Sequence, residues 1–123
     1  MITVLATTRI ASDSIEAFKK LTRDTIAASL VEDGCVAYTC SEDITEPGAF
    51  NWVEVWRDLE AFNAHGESQH HLEFLRALGD PEGVQRSGPA TGTFLVAEEL
   101  SHEQRQEMGF TSVVEPNHVP PKA

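Results

Sequence analysis

Residues 50–56 read Phe-Asn-Trp-Val-Glu-Val-Trp, and this stretch restricts the fold more than any other. Aromatic and β-branched residues without Gly or Pro predict a strand. Period-two alternation places Phe50, Trp52, Glu54 and Trp56 on one face and Asn51, Val53 and Val55 on the other. Both faces are largely apolar, so both must be covered. Asp58 follows as a helix cap, and the next helix carries Leu59, Phe62 and, at the edge of the stripe, His65. Glu54 is the exception on its face, a carboxylate between two indoles. Burial there raises its pKa unless Arg9, Arg57 or a histidine compensates.

The rest of the chain arranges itself around that strand. Residues 2–10 alternate as a strand, and Ser12 or Asp13 can cap a helix whose Ile15, Phe18, Leu21, Ile26 and Leu30 recur at helical spacing to about Val31. Gly34 suits the left-handed residue after that helix, and residues 35–41 form a second strand. The acidic stretch 42–48, with its Pro-Gly pair, joins this strand to the central one as an antiparallel hairpin. Gly66 interrupts the second helical arm and Ser68 restarts it, with Leu72, Phe74, Leu75 and Leu78 expected to face inward as far as Gly79. Residues 80–90 read as a loop and 91–99 as a fourth strand. The order β-α-β-β-α-β predicts an α+β fold, a ferredoxin-like sandwich with a four-stranded antiparallel sheet and helices on one face. The other face, carrying Val53 and Val55, calls for a second copy as cover, so a homodimer is expected. Residues 1–100 form that domain; residues 101–123 add a short helix and a flexible tail.

Charge and cysteines narrow the function. Nine Lys and Arg against twenty Asp and Glu give a net charge of −11, which would repel nucleic acid and anionic lipid. The chain starts without a signal-peptide pattern and holds no run long enough to span a bilayer, so a cytoplasmic location without membrane attachment is expected. Strict alternation places Cys35 and Cys40 on opposite faces, unpaired and reduced.

Several short motifs then converge. Gly34-Cys35-Val36-Ala37-Tyr38, Val53-Glu54-Val55-Trp56, Ala64-His65 beyond that tryptophan, and Ser68-Gln69-His70 resemble the antibiotic-biosynthesis monooxygenase family over about residues 1–100. The resemblance implies a dimeric α+β barrel and, by analogy with its quinol-oxidising members, oxidation of a small aromatic quinol or phenol by molecular oxygen without a cofactor. It implies catalytic roles for His65, Trp56 and Tyr38, and Trp52, Asn51, Glu54, His70 and Phe62 are the candidate substrate contacts beside them. In polyketide-oxidising members an asparagine lies four residues before the strand's tryptophan. Here that position is Trp52, and the adjacent Asn51 reaches the same face only through a bulge. The haem-degrading branch uses a first-strand asparagine and a histidine far along the second helix. Thr7, Thr8 and Leu75 stand in those regions, so haem breakdown is disfavoured.

The residues allow more than one reading. Trp56 either stacks on a flat substrate or packs under the first helix. His65, expected at a pocket mouth where the helix breaks, either takes a phenolic proton or bonds helix-end carbonyls. Glu54 reads first as a member of an ion pair. A non-catalytic barrel that binds a small aromatic ligand is the rival to a monooxygenase. No P-loop, dinucleotide fingerprint, nucleophile elbow or Cys-x-x-Cys pattern is present, so no phosphate cofactor is implied. No metal is expected either, because His65, His70 and His71, interrupted by Gly66, do not set three ligands on one helix face.

Overall fold

A computed structural model describes residues 1–109 of the chain. The elements run β1 (Ile2–Arg9), a 3-10 turn (Ser12–Ser14), α1 (Ile15–Leu30), β2 (Cys35–Glu42), β3 (Ala49–Trp56), α2 (Leu59–Gly66), α3 (Gln69–Gly79), β4 (Thr91–Val96) and α4 (His102–Glu107). The strands form one antiparallel sheet in the order β2-β3-β1-β4, the ferredoxin-like arrangement. The two-faced strand β3 lies inside, between β1 and β2. Its aromatic face meets the helices, and Phe18, Phe50, Trp52, Trp56, Phe74 and Leu78 form the core there.

Helix α1 lies against the sheet by a line of which its apolar pattern marks only Phe18. Phe18, Thr22, Thr25 and Ser29 are its buried residues, while Ile15, Leu21, Ile26 and Leu30 are partly buried beside them. Small hydroxyl side chains let a helix approach a sheet closely. Thr25 Oγ1 donates to the Leu21 carbonyl at 2.9 Å and Ser29 Oγ to the Thr25 carbonyl at 2.8 Å, so two of the three buried hydroxyls are satisfied within the helix, while that of Thr22 has no partner among the described residues.

Three expectations are corrected. In α3 only Phe74 and Leu78 are buried, whereas Leu72 and Leu75 are nearly half exposed, because a helix with a single packed side buries one i, i+4 line. In α2 that line is Ala61 and His65; Leu59 is exposed and Phe62 half-buried. In β2 the register shifts between Cys35 and Ala37, so Cys35 pairs with Trp56 and Cys40 with Trp52, both on the helix face. A single bulged residue reverses the parity that alternation assigns. The two thiols remain free.

Strand β4 is a shorter edge strand than residues 91–99 suggest, and all six of its residues are exposed. The loop before it is tied down, with Ala11 N–H donating to the Gln85 carbonyl at 2.9 Å and Ser87 N–H to the Arg9 carbonyl at 3.0 Å. On the sheet face away from the helices Leu5 and Val53 stay exposed. Among the described residues no helix is long and apolar enough to cross a membrane. The short helix after residue 100 is α4, and the tail expected over residues 110–123 lies outside the described residues.

Candidate functional site

Three local devices bring a polar cluster together against the Trp56 end of β3. The first is Gly34, at φ 84°, which turns the chain from α1 into β2; a Cβ there would lie 2.5 Å from the Ala61 Cβ, so α2 can pack directly on the turn. The second is Asp58, whose carboxylate accepts the Ala61 N–H at 2.8 Å and starts α2. The third is Ser68, whose hydroxyl donates to the His65 carbonyl at 2.6 Å and accepts from the His71 N–H at 3.4 Å. It thus links the end of α2 to the start of α3.

His65 is the centre. Its ring is 2% exposed and stacks on Trp56, centroids 4.5 Å apart and planes 29° apart, with the Tyr38 ring 5.3 Å away. Nδ1 lies 2.8 Å from Glu32 Oε1, while Nε2 faces Glu54 Oε1 at 3.7 Å and has no hydrogen-bond partner. The geometry fits Nδ1–H donating to Glu32, which leaves the Nε2 lone pair free. His70 Nε2 meets the same Glu32 oxygen at 2.5 Å, and the His71 ring lies 4.6 Å from that of His65. Trp56 Nε1–H donates to Glu54 at 3.2 Å.

The electrostatics follow from burial. Desolvation raises the pKa of Glu54, opposed by the Trp56 hydrogen bond and the nearby His65 and reinforced by Glu32. Arg9 is committed to Glu46 and Arg57 to Asp33 and Asp58, so among the proposed partners of Glu54 it is the histidine that lies within reach. Among the described residues Glu32, too, pairs only with histidines. Burial lowers the pKa of His71, with His65 and His70 acting in the same direction. Burial and the Glu54 carboxylate push the Tyr38 hydroxyl well above the usual phenol range. Burial, with Glu32 and Glu54 beside it, pushes the Cys35 thiol up to about 11, so it is protonated at neutral pH.

The expected site residues divide. His65, Trp56, Tyr38, Glu54 and His70 come together. Trp52 lies farther along the same face of β3, edge-on to Tyr38 at 5.9 Å and donating from Nε1 to Thr8 Oγ1 at 3.1 Å. Phe62 packs instead against Phe94 at 6.1 Å. Asn51 faces the other side of the sheet, bonded to Thr7 at 2.8 Å and Asp43 at 2.9 Å, because the bulge falls in β2 and not in β3. His65 is not at a pocket mouth but enclosed, and its ring covers a face of Trp56. Glu32 is the member that sequence reasoning misses. It reads there only as part of a helix-ending Glu-Asp-Gly, and no periodic signal marks it.

The sequence profile described as antibiotic biosynthesis monooxygenase matches residues 1–77, more than half of the chain. The chain belongs to the antibiotic biosynthesis monooxygenase family. Its residues 1–77 carry every member of the cluster. Solved structures similar to this family member include an antibiotic biosynthesis monooxygenase at TM-score 0.71 and 23% identity, covering 80% of this chain and 100% of that one. PA3566 from Pseudomonas aeruginosa aligns at TM-score 0.67 and 28% identity over 80% of this chain and 94% of its own. Rv0793 from Mycobacterium tuberculosis aligns at 0.71 and 24%, over 81% and 97%. An uncharacterized Synechocystis protein is 33% identical over 79 residues, 64% of this chain and 54% of its own length. The chain thus spans about half of that relative.

Proposed function

We propose that this family member is a monooxygenase that oxidises a small planar quinol or phenol with molecular oxygen, without a cofactor, and that it acts as a homodimer. The observation that carries the reading is the buried, unpartnered Nε2 of His65, held by Glu32 on its far side and stacked on Trp56. An imidazole anchored by a carboxylate at Nδ1 is set to accept a proton at Nε2. The phenolate so formed, sheltered among Trp56 and Tyr38, reduces oxygen directly. For a hydroquinone, one oxygen atom enters the ring, the other leaves as water, and the substrate supplies all four electrons.

The enclosure of His65, 2% exposed and laid over Trp56, keeps the imidazole from a substrate proton and favours a second reading, a non-catalytic barrel that holds a small aromatic ligand. Oxygen uptake with a panel of hydroquinones and anthrones separates the two. Catalysis predicts consumption of oxygen, lost by about 10²- to 10⁴-fold in His65→Ala with the circular dichroism spectrum kept. Quenching of tryptophan fluorescence with no oxygen consumed would support the binding protein instead.

A further inference from the structure

Counting histidines along α2 and α3 argues against a metal, but the groups that converge come from three segments. Glu32 follows α1, His65 ends α2 and His70 opens α3, and one ligand atom from each lies within 4.8 Å of the others. We infer that Glu32, His65 and His70 form a binding site for one divalent transition metal of the zinc type.

The donor set argues for that class. Two imidazole nitrogens and one carboxylate suit zinc, and cobalt, nickel or copper after it, whereas calcium and magnesium require shells of oxygen. The geometry is close to what is needed. Glu32 Oε1 now sits between His65 Nδ1 at 2.8 Å and His70 Nε2 at 2.5 Å. A metal about 2.0–2.1 Å from each nitrogen takes the place of the shared oxygen, which moves aside to become the third ligand. Behind the ring, Glu54 Oε1 lies 3.7 Å from His65 Nε2, too far for a hydrogen bond as it stands, and a small shift brings it to where a carboxylate orients a ligating imidazole through its other N–H.

Charge points the same way. Glu32, its side chain 17% exposed, has no Lys or Arg partner among the described residues. A dication supplies the positive charge that the fold leaves out. The site is independent of the oxygenase reading but has a consequence for it. With Nδ1 on the metal, Nε2 must carry the ring hydrogen and cannot accept a substrate proton, so zinc inhibits.

The test is calorimetric titration of metal-stripped protein with zinc chloride, followed by thermal melts. One zinc per chain and a higher melting temperature are expected, with visible bands of a nitrogen-oxygen site when cobalt(II) is used. His70→Gln and Glu32→Gln should each lose zinc binding, and His70→Gln should keep the metal-free melting curve because its side chain is 25% exposed. Glu54→Gln should weaken binding by about 10- to 100-fold. His102→Gln, on α4, should bind as the parent does. Absence of saturable zinc binding at millimolar metal overturns the assignment, and so does undiminished binding by both His70→Gln and Glu32→Gln. Neither outcome depends on oxygen uptake; a stripped protein that consumes no oxygen counts against the oxygenase reading alone.

Discussion

Glu54 owes its state to its neighbours. Alternation along β3 already places it on the covered face, and burial there holds its proton more tightly than in the unfolded chain, where the carboxyl titrates near 4.5. A folded pKa above the unfolded one gives stability that is complete below that value and is lost as pH rises through the folded pKa. Glu54→Gln keeps an acceptor for the Trp56 N–H and removes the charge. It should therefore melt higher than the parent near neutrality, with the difference shrinking as pH falls towards about 4. Melting curves across that range check this, and a constant or reversed difference would mean that Glu54 is held ionised by His65. The histidine at its side is one of several partners that the sequence leaves open, because Arg9 and Arg57 are also candidates and only packing commits them elsewhere.

At the scale of elements, the site depends on two junctions. Ser68 caps α3 and ties it to the last turn of α2, so Ser68→Ala should cost about 1 kcal/mol in denaturant unfolding and also loosen His70 from Glu32. Gly34 is the other junction. Any side chain there meets both a left-handed backbone and the Ala61 Cβ, so Gly34→Ala should destabilise by roughly 1–3 kcal/mol, read as a lower midpoint with an unchanged denaturant slope. Both junctions are legible in the sequence, as a glycine after a helix and a serine before one. Their geometric effect, bringing α2 onto the α1–β2 turn, is not.

At the scale of the molecule, the sheet has one covered face and one open. A groove of about 380 Å³ runs over the open side, lined by Leu5, Thr7, Asn51, Val53 and Thr93 among others. Leu5 and Val53, cross-strand partners, are 45% and 39% exposed there. A second copy packed on this face would bury them, and Val53→Asp would then place an unpaired charge in the interface, weakening association by roughly 3 kcal/mol or more. Analytical ultracentrifugation should find a dimer for the parent and a monomer for the variant at micromolar concentration. A monomeric parent would rule the dimer out.

The sequence by itself determined the order of elements, the central two-faced strand, the caps at Asp58 and Ser68 and the turn at Gly34. These rest on backbone chirality, side-chain period and local hydrogen bonding, all of which act over a few residues. Tertiary structure alone decided that Glu32 meets His65 and His70, that His65 is enclosed, and that Cys35 and Cys40 share a face. Convergence of side chains from three segments depends on how helices lie on a sheet, and one bulged residue is enough to reverse which face a strand presents.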